Sequence, residues 1–245
     1  MSAAPAARLR GLLRPLLLAS GTLLLAVGFA VLGGEVREGE TEAFDMALLK
    51  WAMAFRADHP AFSAAMRDLS GVGSTTVLTF LTVATCGYLA LSRRRLSALL
   101  VALSIGSAAL LVGSLKALFG RLRPDASYAE LVQHGLSFPS GHASMSAVVF
   151  LTLGALVAGT HARMVERLYI LSAAAVLAVL VGVSRIALGV HWATDVLGGW
   201  AFGTAWAVFW LLVAAHWPDR PRTHSRAPIE DAGTPAGGGA GSVRP

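Results

Sequence analysis

LYILSAAAVLAVLVGVSRIALGVHWATDVLGGWAFGTAWAVFWLLVAA, residues 168–215, decides the fold. It reads as two apolar runs, 168–184 and 194–215, joined by a short hinge. Arg185, His191 and Asp195, the charged and imidazole side chains of the stretch, all fall in or beside that hinge. Each run is near the about 17–25 residues that a spanning helix needs. A helix–hinge–helix hairpin in a bilayer is therefore expected, with its polar residues gathered where the chain leaves the membrane.

Working outward, four more runs of the same kind stand at about 11–32, 74–92, 96–116 and 142–160. Charged residues and histidines collect at their ends. Composition agrees: 55% of the 245 residues are hydrophobic and only 14% are charged, against about 25% in a soluble domain. Mean hydropathy is +0.64. The expected fold class is an all-α integral membrane protein with six transmembrane helices in one bundle. The formal net charge of +6 does not point to nucleic acid, because most basic residues flank apolar runs. The lone cysteine, Cys86, has no partner for an internal disulfide and leaves the redox compartment open.

The first run follows Arg8, Arg10 and Arg14. Its length and the lack of a clear small-x-small cleavage site favour a retained anchor over a signal peptide. The expected layout is a cytoplasmic N-terminus at 1–10, a membrane domain at 11–217, and a disordered cytoplasmic tail at 218–245, rich in Pro, Gly and Ala. Arginines then orient the chain: Arg93, Arg94 and Arg95 between spans 2 and 3, Arg163 and Arg167 between spans 4 and 5, and Arg220, Arg222 and Arg226 in the tail share a side with the N-terminus. That side is read as cytoplasmic. The 33–73 loop falls outside and is acidic at its start. Within it Phe44, Leu48, Trp51 and Phe55 recur at helical spacing, which predicts an amphipathic helix on the outer leaflet.

Three polar blocks break the pattern. The first is Lys116-ALFGRL-Arg123-Pro124, the second Phe138-Pro139-Ser140-Gly141-His142, and the third Ser184-Arg185-IALGV-His191-WAT-Asp195. Parity puts all three at the outer boundary, where positive charge is scarce. A lone basic residue at a helix end ordinarily snorkels to the interface. Three that converge repel one another unless an anion sits among them, and arginine's fork suits phosphate oxygens. Eighteen of the 20 basic residues are arginine, so the position of Lys116, one of two lysines with Lys50, stands out. The Pro-Ser-Gly-His block opens an apolar helix. Its first N–H groups lack internal acceptors and attract anions, although a serine there is also an ordinary N-cap. His191 and Asp195, four apart, share one helical face. Asp195 can fix one ring nitrogen and leave the other free as a nucleophile; the same pair also reads as a structural contact closing a helix start.

The three blocks resemble the signature of the type 2 phosphatidic acid phosphatase superfamily, which also includes the vanadium haloperoxidases. That signature is Lys, six residues, Arg-Pro; Pro-Ser-Gly-His; and Ser-Arg, five residues, His, three residues, Asp. All eleven fixed identities are present between residues 116 and 195, and the six-span layout resembles the membrane lipid-phosphatase branch over about 11–215. The resemblance implies His191 as the nucleophile that becomes phosphohistidine and Asp195 as its orienting partner. It implies His142 as the acid that protonates the leaving oxygen and then the base that activates water. Lys116, Arg123, Arg185, Ser140 and Gly141 are then the groups that hold phosphate. It implies no metal and no other cofactor.

Expected partners are the bilayer and a phosphorylated membrane lipid such as undecaprenyl diphosphate, phosphatidic acid or phosphatidylglycerol phosphate, with no nucleic acid. The expected location is a bacterial plasma membrane, with the site on the extracytoplasmic side. A lipid phosphotransferase using the same histidine, or a non-catalytic lipid-binding or transport protein, are the alternatives. Outside the signature, Arg121 is expected at the surface, and Asp125 as either a site-tuning group or a turn cap. Trp51, Trp192 and Trp217 are expected as interfacial anchors, and Gly198, Gly199 and Gly203 as close-packing positions.

Overall fold

The computed structural model describes residues 4–131 and 133–217; the expected tail, 218–245, and residues 1–3 lie outside the described residues. Among the described residues eight α-helices follow in order: α1 Ala4–Glu38, α2 Glu42–Asp58, α3 Pro60–Val72, α4 Thr75–Leu91, α5 Arg95–Phe119, α6 Gly141–Ala158, α7 Met164–Ala187 and α8 Ala193–His216. A single 3-10 turn, Ala126–Tyr128, lies in the α5–α6 loop. There is no strand among the described residues.

Among the described residues, six segments are long and apolar enough to cross a membrane: Pro15–Glu38, Pro60–Leu91, Arg95–Phe119, Gly141–Ala158, Met164–Ala187 and Ala193–His216. The expected six-span α-bundle is what forms. Two boundaries differ from expectation. The first span runs on to Glu38 rather than stopping near 32. The second begins at Pro60, because α3 and α4 form one apolar segment broken only by a short turn at Gly73 and Ser74. Pro60 suits the first turn of α3, where its missing N–H has no partner to lose. The Ser74 hydroxyl accepts from the Val77 N–H at 3.3 Å and restarts the helix as α4.

The 33–73 loop thus holds two helices, not one. On α2 the expected face is outward: Phe44 and Trp51 are exposed, and Leu48 and Phe55 are half-buried. The opposite stripe, Asp45, Leu49 and Ala52, is buried against the bundle. Asp45 is therefore a core residue rather than a loop acid.

α6 is the central helix, with 56% of its apolar window buried against 6% for α1. It packs most extensively on α7 and α8, while α1 lies against α8 and α3 against α7. Glycines make the α6–α8 contact close. A Cβ on Gly203 would stand 2.4 Å from the Ser144 carbonyl oxygen, and one on Gly199 would stand 2.9 Å from that of Ser140. Gly198 likewise makes room for the Phe138 ring, which stacks on Phe29 with centroids 5.6 Å apart. Outward, Leu24, Phe80, Leu110 and Tyr169 are exposed apolar side chains on four helices, as a lipid-facing surface requires.

The direction of the helices brings the end of α5, the start of α6, the end of α7 and the start of α8 to one end of the bundle. α5 stops at Gly120, whose φ of +62° is the left-handed cap that glycine adopts at no steric cost. α7 turns into α8 through Gly189 at φ +70°, where a Cβ would lie 2.2 Å from the Tyr128 carbonyl oxygen.

Candidate active site

The three blocks meet at this end of the bundle, around His191. The imidazole is 2% exposed. Its Nδ1 lies 3.2 Å from Asp195 Oδ2 and 3.2 Å from Ser137 Oγ. Its Nε2 lies 3.0 Å from Arg123 Nη1. A guanidinium only donates, so Nε2 is the accepting, unprotonated nitrogen and the ring proton sits on Nδ1, toward Asp195. Burial pushes the His191 pKa down to about 4; the hydrogen bond and charge of Asp195 oppose that shift, and Arg123 and Lys116 add to it. The ring is neutral at pH 7, with a lone pair turned toward the cations.

Asp195 stands at the third position of α8 and is fully buried. Oδ2 accepts from the Trp192 N–H at 2.9 Å, which closes the helix start, and from the Ser137 hydroxyl. Oδ1 accepts from Arg121 Nη1 at 2.8 Å. Asp195 thus closes the start of α8 and also holds the imidazole.

Lys116 reaches back from the last turn of α5. Its Nζ donates to the carbonyls of Leu136 and Ser137, at 2.7 and 3.1 Å. Arg123 Nε donates to the Gly135 carbonyl at 3.1 Å, and its Nη1 to that of Val190 at 2.8 Å. These bonds draw the segment before Phe138 over the site. Arg185, 2% exposed at the end of α7, donates from Nη1 to the Ser70 hydroxyl of α3. Its Nε and Nη2 are buried with no partner. Leaving a buried donor unmade costs about 1–3 kcal/mol, more for a charged group, so this guanidinium calls for an anion.

Ser140 caps α6: its Oγ accepts from the Ala143 N–H at 3.4 Å, and its own N–H donates to the Asp195 carbonyl at 2.9 Å. The N–H groups of Gly141 and His142, first and second in α6, have no acceptor within the helix. His142 is half-buried, within electrostatic reach of Arg185, His191, Arg123 and Lys116. All eight expected site residues are thus drawn to one end of the bundle. The cluster has more cations than free carboxylates, because Asp195 is already paired with Arg121.

Arg121 is where expectation fails. It is not a surface residue: its side chain is 13% exposed and bridges two buried carboxylates, Asp45 Oδ2 at 2.6 Å and Asp195 Oδ1 at 2.8 Å. It also donates to Thr194 Oγ1 at 2.7 Å. Asp45 in turn accepts from the Thr194 N–H and hydroxyl, at 2.9 and 2.6 Å. Asp45 and Ser137 in this network, and Ser70 beside Arg185, gave no signal in the sequence, since each partner is remote in the chain. Asp125 caps the 3-10 turn, its Oδ1 accepting from the Ser127 N–H at 2.8 Å. Trp192 Nε1 donates to the Leu122 carbonyl at 2.9 Å, and Arg121 lies 5.5 Å from its ring centroid.

The chain is similar to known proteins over most of its length. The model of the PAP2 superfamily matches residues 97–219. The chain is 34% identical over 182 residues to phosphatidylglycerophosphatase B of Bacillus subtilis (strain 168), covering 71% of this chain and 85% of that protein. It also superposes on the crystal structure of a transmembrane PAP2-type phosphatidylglycerolphosphate phosphatase from Bacillus subtilis. There the TM-score is 0.74 with 28% sequence identity, over 80% of this chain and 97% of that one.

Proposed function

The chain belongs to the PAP2 superfamily, and from that premise we propose that it is a phosphohistidine lipid phosphatase whose first substrate to test is phosphatidylglycerol phosphate. Membership and the six spans make it a multi-pass membrane phosphatase of lipid phosphates; the substrate and the steps are our reading. The observation that carries it is the pairing of a buried, neutral His191, its Nε2 lone pair turned to Arg123, with the unpartnered Nε and Nη2 of Arg185.

A phosphate monoester enters with its oxygens on Lys116, Arg123, Arg185 and the first N–H groups of α6. Arg123 passes from Nε2 to a phosphate oxygen and frees the lone pair. Nε2 attacks phosphorus; the P–N bond forms and the P–O bond to the lipid breaks. Asp195 stabilises the positive charge that grows on the ring. Protonated His142 gives its proton to the departing oxygen. Neutral His142 then takes a proton from water, the water oxygen attacks phosphorus, the P–N bond breaks, and phosphate leaves with His191 restored. Three cations and a helix N-terminus supply the charge stabilisation that phosphoryl transfer asks for, which favours a reaction without added metal. The arginine-rich turns at the other end of the bundle favour a site facing away from the cytoplasm.

The test is phosphate release by the purified protein in chelator, across lipid monophosphates and diphosphates, with acid-stable and acid-labile phosphoprotein measured after quenching. Acid-labile label on wild type and none on His191→Ala is expected. Normal turnover by His191→Ala overturns the mechanism, and no preference for phosphatidylglycerol phosphate over phosphatidic acid or undecaprenyl diphosphate overturns the substrate.

A further inference from the structure

Five buried side-chain nitrogen and oxygen atoms have no hydrogen-bond partner among the described residues, and they fall in two places. Two are Nε and Nη2 of Arg185, where phosphate is read to bind. The other three, Ser104 Oγ, Thr152 Oγ1 and Trp210 Nε1, all line one cavity of about 260 Å³ between α5, α6 and α8. Ser104 and Thr152 are 1% and 5% exposed. On α5, Ser104 lies twelve residues before Lys116, about 18 Å along the helix axis, so this cavity is separate from the phosphate site and lies toward the other end of the bundle.

We propose that this cavity is a binding site for one anionic glycerophospholipid of the leaflet at that end. The lining selects the chemistry. An indole N–H can only donate, and each hydroxyl has one proton to donate besides its lone pairs, so an occupant that presents acceptors at depth satisfies all three; the ester carbonyls of a glycerolipid do so. Leu100, Val101, Leu156 and Leu211 form apolar walls that suit an acyl chain. The cavity reaches Arg94 at the start of α5 and Trp217 at the end of α8, beside exposed Arg93 and Arg95. Arginines clustered at a membrane boundary attract anionic headgroups.

The test is native mass spectrometry of the full-length protein released from detergent after exposure to phosphatidylglycerol or phosphatidylcholine. Wild type is expected to retain one phosphatidylglycerol. The Ser104→Ala/Thr152→Val double variant, which keeps side-chain volume nearly constant, is expected to retain it at least fivefold more weakly. Its undiminished phosphatase turnover shows that it is folded. An Arg123→Ala variant, altered at the phosphate cluster, is expected to retain the lipid as wild type does. No retained lipid in wild type, or unchanged retention in the double variant, overturns the site. Loss of retention in Arg123→Ala alone assigns the lipid to the phosphate cluster and overturns it too. Equal retention of phosphatidylcholine overturns the anionic headgroup.

Discussion

Arg121 holds Asp195 by Oδ1 at 2.8 Å while the other oxygen of that carboxylate faces His191. The same guanidinium holds Asp45 of α2 at 2.6 Å. The first extramembrane helix is thereby tied to the carboxylate that orients the imidazole, through one side chain that shares the charge of both acids. Removing it leaves two fully buried carboxylates without the guanidinium that bridges them. Breaking such a buried pair costs about 3–5 kcal/mol, and misplacing a catalytic group by about 1 Å costs about 100-fold in rate. Arg121→Ala should therefore lower both the melting temperature and kcat, by about 100-fold in the latter. Asp45→Asn, which keeps one acceptor oxygen for the Thr194 N–H, should be milder. Thermal melts in detergent beside turnover measurements check this; an Arg121→Ala protein with wild-type melting and turnover refutes the bridge.

The neutral state of His191 makes a pH prediction. Its folded pKa is lowered to about 4, chiefly by burial, from an unperturbed value of about 6.5. The nucleophile must be unprotonated, so the acid limb of kcat/KM should lie well below pH 6.5, with activity held through pH 5. The linked stability has the same sign. The unfolded chain binds a proton at this group more readily than the folded one, so its contribution is complete above about pH 6.5 and is lost as pH falls toward about 4. Asp195→Asn removes a group that opposes the shift, and its acid limb should move lower still as its rate collapses. A limb near pH 6.5 in wild type contradicts the burial argument.

Arg185 is set by Ser70, a residue of α3 more than a hundred positions away in the chain. Its unpartnered Nε and Nη2 lie on a rigid planar group, whose fork an ammonium does not reproduce. Arg185→Lys should therefore lose most of the effect of Arg185→Ala, about 100-fold or more in kcat/KM for loss of preorganised charge stabilisation. Ser70→Ala leaves the guanidinium in place with one bond fewer and should lose about tenfold, corresponding to about 1.4 kcal/mol. Kinetics on a soluble phosphate ester separate this from lipid access; an Arg185→Lys variant with full kcat/KM shows that the fork is not used.

The spans and the three blocks were legible because each is written locally: unbroken apolar runs, and polar residues at fixed short spacings. Even the exposed face of α2 could be read from Phe44 and Trp51. The buried face of the same helix could not. Asp45 looked like one more acid in an acidic stretch, and Arg121 like one more cation at a span end, until the fold set them 2.6 Å apart across 76 positions. Ser137 and Ser70 are silent for the same reason: a hydroxyl has no pattern, and its role is fixed by a partner that only tertiary structure supplies. The continuity of α3 with α4 was hidden by polar residues such as Arg67 and Asp68, which interrupt the apolar count without interrupting the segment.

The glycines of α8 make the last prediction, and it separates packing from chemistry. α6 carries Ser140 and His142, α8 carries Asp195, and their relative position is set where Gly203 meets the Ser144 backbone. A methyl there would lie 2.4 Å from the Ser144 carbonyl oxygen, and backbone, unlike a flexible side-chain end, cannot step aside. Gly203→Ala must therefore push the two helices apart, at about 1–3 kcal/mol for overpacking. Gly28→Ala on α1, where the added Cβ meets nothing within 4 Å, is the matched control and should melt as wild type does. The displacement acts on His142 and Asp195 together, so Gly203→Ala should also reduce kcat in the protein that remains folded, measured after size-exclusion chromatography. Wild-type melting and turnover in Gly203→Ala contradict the close α6–α8 contact, whatever the fate of the control.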